Sequence, residues 1–182
     1  MARSGRQVLQ RIRVPLGFLF GALFLISAKP TYPLILVGFI IALFGLAIRA
    51  WASGHISKNQ ELAKSGPYAY TRNPLYLGSF ILGVGFCLAS GQLLLGIAFV
   101  ALFMGIYLPV MSVEADELRS IFGAEYQEYE DKVHLFFPGF KPLKGDSKKF
   151  EMGLYLRYRE YRASLGLGAV FLTLVAKAYF DL

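Results

Sequence analysis

A polar turn with several chemically capable side chains precedes a long apolar stretch of the chain. It runs from Gly66 to Gly78 and reads Gly-Pro-Tyr-Ala-Tyr-Thr-Arg-Asn-Pro-Leu-Tyr-Leu-Gly. Gly66-Pro67 interrupts regular structure, and Pro74 suits the first turn of a helix, where its missing N–H costs nothing. A helix that begins near Pro74 presents unpaired backbone N–H groups to a carboxylate or another polar ligand group. The same pattern, taken alone, is also that of an interfacial loop with an ordinary aromatic anchor.

A second segment with chemical potential begins at Glu114. Six residues recur there at spacings of three and four, which predicts one face of a helix that ends at Pro138 and Gly139: Glu114, Leu118, Phe122, Tyr126, Tyr129 and Val133. Glu114 therefore shares the buried face of this predicted helix. An ionisable group on a buried face near a membrane is costly, and such groups are usually functional.

Together, the two segments resemble the isoprenylcysteine carboxyl methyltransferase family, whose relatives include phospholipid N-methyltransferases. The family has Gly-x-Tyr followed by Arg-His-Pro-x-Tyr-x-Gly at a helix start, and residues 66–78 match this block. A second family block has paired glutamates, Leu, Phe-Gly, two tyrosines and a final Phe-Pro. It is matched here by Glu114, Leu118, Phe122-Gly123, Tyr126, Tyr129 and Phe137-Pro138. The detailed resemblance covers residues 54–138 of what we interpret as a single domain, 1–182.

The resemblance implies a methyltransferase that uses S-adenosyl-L-methionine and a lipophilic or lipidated acceptor. It implies catalytic roles for Arg72, Asn73 and Glu114. The implied cofactor-binding residues are Lys58, Gln60, Glu61, Leu62, Ala63, Tyr68, Asn73, Pro74, Leu75, Tyr76 and Glu114. A carboxylate can bind cationic groups or ribose hydroxyls, and the tyrosines offer rings and hydroxyls to an adenosyl group.

Three positions depart from the family pattern. Asn73 stands where the family usually has His, and Ala115 stands where the second glutamate is expected. Val110 replaces an arginine that, in the family, lies one helical turn before the first glutamate and is positioned to meet the acceptor carboxylate. We therefore expect an acceptor other than a standard prenylcysteine carboxylate.

Two other functions and a metal site fit the sequence less well. Sterol-reductase-type enzymes, which use NADPH, carry a similar Arg-His-Pro-x-Tyr turn, but they tend to have an acidic residue where Ser79 stands here. A non-catalytic membrane scaffold would leave Glu114 unexplained. No metal site is expected, because His55 and His134 lack partners at ligand spacing.

The composition indicates that apolar helices position these residues. Of the 182 residues, 55% are hydrophobic and only 17% are charged, which is typical of a membrane protein. Charge-free stretches occur at 14–28, 30–48, 75–113 and 164–176. The third is too long for one span and contains Ser90-Gly91-Gln92, which favours a hairpin of two helices. The sequence thus predicts an all-α, polytopic membrane protein with about five transmembrane helices, and a juxtamembrane helix at 148–162 before the last span.

The basic residues predict an orientation. With the N-terminus inside, 17 of the 19 Lys and Arg residues lie on the cytoplasmic side, and only Lys29 and Lys177 lie outside. This distribution predicts a cytoplasmic site and an external C-terminus. The net charge of +7 indicates anionic membrane lipids as partners and not nucleic acid.

Overall fold

The described part of the chain forms seven α-helices and one short 3-10 helix. The computed structural model describes residues 2–56, 61–145 and 148–181, with side chains from residue 15 onward. The α-helices are α1 Ala2–Ser27, α2 Tyr32–Ser53, α3 Pro74–Ala89, α4 Leu93–Phe122, α5 Ala124–Glu130, α6 Met152–Arg157 and α7 Tyr161–Phe180, and the 3-10 helix is Gly66–Ala69. The described residues contain no β-strand. The predicted all-α membrane class is therefore confirmed.

Each of the five predicted apolar segments is helical. The helices α2, α4 and α7 are long and apolar enough to cross a membrane, whereas α3 and the apolar part of α1, Pro15–Ser27, are shorter. Helix α4 has 30 residues, which corresponds to about 45 Å, against about 30 Å for the hydrocarbon core. Its last turns, which carry Glu114, are thus expected to extend beyond the apolar layer.

The predicted turn at Ser90-Gly91-Gln92 separates α3 from α4. Gly91 has a φ of +70°, a left-handed conformation that glycine adopts without strain. The Ser90 hydroxyl donates to Cys87 O at 2.6 Å, and Ser90 O accepts the Lys29 backbone N–H at 2.8 Å. This turn therefore binds the α1–α2 connection at one end of the bundle, here called the far end. The other end, where α2 ends and α3 begins, is called the site end.

Small residues bring α2 and α3 into backbone contact. An added Cβ on Gly45 of α2 would lie 2.5 Å from Leu82 N and 2.6 Å from Gly78 O on α3. An added Cβ on Gly85 would lie 2.6 Å from the backbone of α2 at Gly38 and Ala42. Such close approach is how helices pack in lipid, where burying large apolar side chains gains little.

The helix predicted to run from Glu114 to Pro138 is wrong as a single element. Gly123 has a φ of +54° and ends α4, so that α5 starts in a new direction and ends at Glu130. The aromatic residues of the predicted face still meet, because Tyr126, Tyr129 and Val133 fold back onto Ala115 and Leu62 in one buried cluster. The periodicity thus predicts the burial of these residues correctly. The chain buries them by reversing its direction after Gly123 and not by continuing as one helix.

The juxtamembrane helix predicted at 148–162 is shorter than expected. Helix α6 covers only Met152–Arg157, and the chain turns at Arg159, which has a φ of +55°, before α7 begins. The Glu151 backbone N–H donates to Gly54 O at 2.9 Å. The turn delivers Glu160 to the site end of the bundle, where its side chain is buried.

We predict that Gly45→Ala lowers the free energy of unfolding by about 1–3 kcal/mol, because the new methyl group overlaps the backbone of α3. Gly105→Ala is the matched control, since a Cβ added there on α4 meets nothing within 4 Å. Thermal unfolding in detergent micelles compares the two variants. Equal stability of the two would contradict the backbone contact.

Candidate active site

A cavity of about 580 Å³ lies at the site end. Its walls come from the loop after α2, the turn that precedes α3, and the last turns of α4. All the described residues that the sequence assigned to the site line it: Glu61, Leu62, Ala63, Tyr68, Arg72, Asn73, Pro74, Leu75, Tyr76 and Glu114. Lys58 and Gln60 lie outside the described residues. The chemical roles of all these residues remain predictions.

A hydrogen bond between Tyr76 and Glu114 joins the two helices that form the cavity. The Tyr76 hydroxyl of α3 donates to Glu114 Oε1 of α4 at 2.7 Å. The ring of Tyr76 also packs against Tyr107, with centroids 5.4 Å apart. Among the described residues, Glu114 forms no ion pair. Its position is therefore fixed while its negative charge stays available to a ligand.

The hydroxyl of Tyr68 is a buried group without a hydrogen-bond partner in the described structure. Tyr68 is 5% exposed and lines the cavity, and its carbonyl accepts the Tyr129 hydroxyl at 2.7 Å. Burial, together with Tyr129 and Glu114 nearby, raises the pKa of Tyr68 well above its usual value, so it remains a protonated donor. An unpaired buried hydroxyl costs about 1–3 kcal/mol, which a bound ligand group would relieve.

Arg72 is held beside the cavity by residues of α5. Its Nη1 donates to Glu130 Oε2 at 3.0 Å and to the Tyr126 hydroxyl at 3.1 Å. Arg119 binds the same Glu130 carboxylate through Nε at 2.9 Å and Nη2 at 2.8 Å. The Nε of Arg72 is buried without a partner in the part of the chain that the structure describes. Arg72 thus bonds to α5 and keeps one N–H group that has no partner among the described residues.

The Asn73 side chain has a structural contact that sequence reasoning missed. Its Nδ2 donates to Leu135 O at 2.9 Å, while Thr71 Oγ1 donates to Phe136 O at 2.8 Å. Asn73 still lines the cavity. Its amide therefore holds the turn against the segment that follows α5, in addition to any role that it has towards a ligand.

Arg49 is the main residue of the cavity wall that the sequence prediction omitted. Its Nε donates to Oε1 of Glu160, the residue just before α7, at 2.6 Å, and its Nη1 binds Ser79 Oγ. A Cβ on Gly78 would lie 2.6 Å from Arg49 Cγ, so the glycine of the motif makes room for this side chain. An arginine at the end of an apolar run was a usable signal, because intramembrane cations are usually paired or functional.

A second cavity, of about 720 Å³, lies at the far end between α3 and α4. Its wall contains no Asp, Glu, Lys or Arg among the described residues. It is therefore less suited to a charged cofactor than the cavity at the site end.

The chain is similar to several known proteins. The phospholipid methyltransferase family model matches residues 32–125, just over half of the chain. The nickel-cobalt-cadmium resistance protein NccN of Alcaligenes xylosoxydans xylosoxydans is 29% identical over 116 residues, 63% of this chain and 54% of the relative. The cobalt-zinc-cadmium resistance protein CzcN of Cupriavidus metallidurans is 33% identical over 103 residues, 54% of this chain and 46% of the relative.

A third relative is the protein-S-isoprenylcysteine O-methyltransferase of Schizosaccharomyces pombe, 25% identical over 136 residues, 72% of this chain and 57% of the relative. The chain thus spans about half the length of the curated relatives it matches. No solved structure matches the chain at a significant level.

The helical bundle and the cavity at its site end define an α-helical membrane protein with a cavity lined by polar and apolar residues. The chain belongs to the phospholipid methyltransferase family, a family of membrane methyltransferases. The predicted kinship with isoprenylcysteine carboxyl methyltransferases is confirmed.

We predict that Glu130→Gln destabilises the protein by about 1–3 kcal/mol at neutral pH, because it removes charge-assisted hydrogen bonds to Arg72 and Arg119. Hydrogen bonding to Arg119 lowers the pKa of Glu130 from its ordinary value of 4.5. A lowered carboxyl pKa stabilises the fold above pH 4.5, and this contribution is lost as the pH falls from 4.5 through the lowered value. The free energies of unfolding of wild type and variant, measured as a function of pH, should therefore converge in acid. A difference that does not change with pH would contradict the two ion pairs.

Proposed function

We propose that this protein transfers a methyl group from S-adenosyl-L-methionine to a lipophilic acceptor, as an isoprenylcysteine carboxyl methyltransferase-like enzyme. The family membership supports methyl transfer in a membrane. One observation carries the assignment of the site: the Glu114–Tyr76 pair lines the same cavity as Tyr68, whose hydroxyl has no partner among the described residues.

The described residues fit the polar groups of this cofactor. S-adenosyl-L-methionine carries an ammonium, a sulfonium, a carboxylate and two ribose hydroxyls. Glu114 can accept hydrogen bonds from the ammonium or the hydroxyls, and the Tyr68 hydroxyl and Arg72 Nε can donate to the carboxylate. A volume of about 580 Å³ is within the usual range for small-molecule sites.

When bound near Glu114 and Tyr68, the cofactor would supply an activated methyl group that the acceptor lone pair could displace from sulfur, with the carbon–sulfur electron pair staying on sulfur and the acceptor proton passing to solvent. The protein contributes mainly position, because alignment of the two reacting groups lowers the barrier to such a displacement. Glu114 and Tyr68 would orient the donor, and the apolar wall near Met111 would receive the acceptor.

We predict that Glu114→Gln weakens binding of S-adenosylhomocysteine roughly ten- to a hundredfold, since it keeps the shape and removes the charge. Glu128→Gln is the matched control: Glu128 lies on the exposed face of α5 and pairs only with Lys132 among the described residues. Isothermal titration calorimetry of protein in nanodiscs measures both variants, with NADPH as the alternative ligand. Binding of NADPH instead would favour the reductase hypothesis, and binding of neither compound would favour a scaffold.

The cavity has no unpaired arginine or lysine for an acidic acceptor among its described residues. Val110, at the position of the family arginine, is buried and lies outside the cavity wall. Arg72 is paired with Glu130, and Arg49 is paired with Glu160. A carboxylate bound without a partner would pay several kcal/mol of desolvation. An amine, thiol or hydroxyl acceptor is therefore the better fit.

We predict that purified enzyme in nanodiscs methylates an amine- or thiol-bearing lipid in preference to a farnesylcysteine analogue of matched chain length. Transfer of a radiolabelled methyl group measures the preference. Efficient carboxyl methylation that is lost in Arg72→Ala or Arg49→Ala would show that a cation has been released for the acceptor, and the proposed acceptor class would be wrong.

The predicted orientation places the cavity at the cytoplasmic face. We expect a cysteine at Gln92, in a Cys87→Ala background, to be labelled only from outside, and one at exposed Lys144 only from the cytoplasm. Ser90 is unsuitable as a probe because it is fully buried. The opposite labelling pattern, measured in oriented vesicles with a membrane-impermeant maleimide, would reverse the location of the site.

A further inference from the structure

Two phenylalanines on the loop after α5 are strongly exposed although they lie outside the spanning helices. Phe137 is 68% exposed and Phe140 is fully exposed. They belong to residues 135–140, here called the anchor segment; exposed Lys141 follows directly, and exposed Lys144 lies three residues further on. Exposed aromatic side chains next to lysines are typical of a surface that contacts something apolar beside something anionic.

The neighbouring Phe136 fixes the depth of the anchor segment relative to the bundle. Phe136 is 3% exposed. The centroid of its ring lies 5.7 Å from the ring centroid of Phe80 on α3 and 6.0 Å from that of Phe103 on α4. Phe80 is six residues into α3, about 9 Å along the helix from Pro74. The Phe137 ring contacts the Phe136 ring at 5.1 Å. The anchor segment is thus packed through Phe136 against the apolar residues that α3 and α4 share.

We propose that the anchor segment inserts Phe137 and Phe140 into the leaflet at the site end, with Lys141 and Lys144 at the anionic headgroups. Three observations favour lipid as the occupant: continuity with the apolar helices, aromatic rings at the edge of the bundle, and adjacent positive charge. The proposal concerns lipid contact and does not depend on methyl transfer.

The anchor segment is hydrogen-bonded to the turn that forms the cavity. The Arg72 backbone N–H donates to His134 O at 2.9 Å, and the Gly139 N–H donates to Tyr70 O at 2.8 Å. The side chains of Thr71 and Asn73 add bonds to the carbonyls of Phe136 and Leu135. Insertion of the anchor segment would therefore hold the cavity wall at a fixed height above the bilayer.

Tryptophan fluorescence in nanodiscs tests the insertion. In a Trp51→Phe background, Phe140→Trp should be quenched by lipids brominated on the upper acyl chain and shielded from aqueous acrylamide. Glu128→Trp, on the exposed face of α5, is the control and should show the reverse. Quenching of the Phe140→Trp probe by acrylamide to the same extent as the control would overturn the proposal.

Hydrogen exchange tests the coupling to the cavity. The double variant Phe137→Ser/Phe140→Ser should exchange the amides of Arg72 and Gly139 faster than wild type in nanodiscs. Phe180→Ser, which removes an exposed ring at the far end, should leave them unchanged. Wild-type exchange rates in the double variant would show that the cavity wall does not depend on the anchor segment.

Discussion

The contact between the backbones of α2 and α3 is the constraint on which the rest of the structure depends. In lipid, large apolar side chains gain little by leaving one apolar surface for another, so small residues decide which helices approach closely. Gly45 of α2 against Gly78 and Leu82 of α3 brings the two axes together. This approach sets where α3 begins, and therefore where the turn before it meets the end of α4.

Gly78 links that packing to the cavity. It is the last residue of the motif at residues 66–78. The aliphatic part of the Arg49 side chain occupies the position that a side chain at residue 78 would take. Arg49 passes over α3 there to reach Ser79 and to pair with Glu160, which precedes α7. The glycine is thus needed for packing and for placing a cation at the cavity wall, although it does not itself carry chemistry.

Of the described carboxylates that line the cavity, only the partly buried Glu114 and the exposed Glu117 form no ion pair. Glu130 is shared by two arginines, and Glu160 is paired with Arg49. Glu114 differs from Glu130 and Glu160, since its hydrogen-bond partner is the Tyr76 phenol and no cation of the described residues pairs with it. An uncompensated carboxylate opposite an unpaired Tyr68 hydroxyl is suited to a ligand that carries both positive charge and acceptor atoms, as the proposed cofactor does.

The helices and much of the cavity wall could be predicted from the sequence, because apolar length and motif spacing depend on local chemistry. The spacing of Glu114, Tyr126 and Tyr129 indicated burial but not the fold-back, since one positive φ at Gly123 changes direction without changing periodicity. The partners of Arg49 could not be predicted, because Glu160 is 111 residues away and no local pattern links them.

The most direct test of the proposed site is photochemical cross-linking of radiolabelled S-adenosyl-L-methionine to the protein in nanodiscs, followed by peptide mapping. The cavity geometry predicts labelled peptides from residues 66–76 and 107–118, with labelling suppressed by S-adenosylhomocysteine. Label confined to the far-end cavity at residues 84–101, or label that S-adenosylhomocysteine does not displace, would contradict a cofactor site between Tyr68, Tyr76 and Glu114.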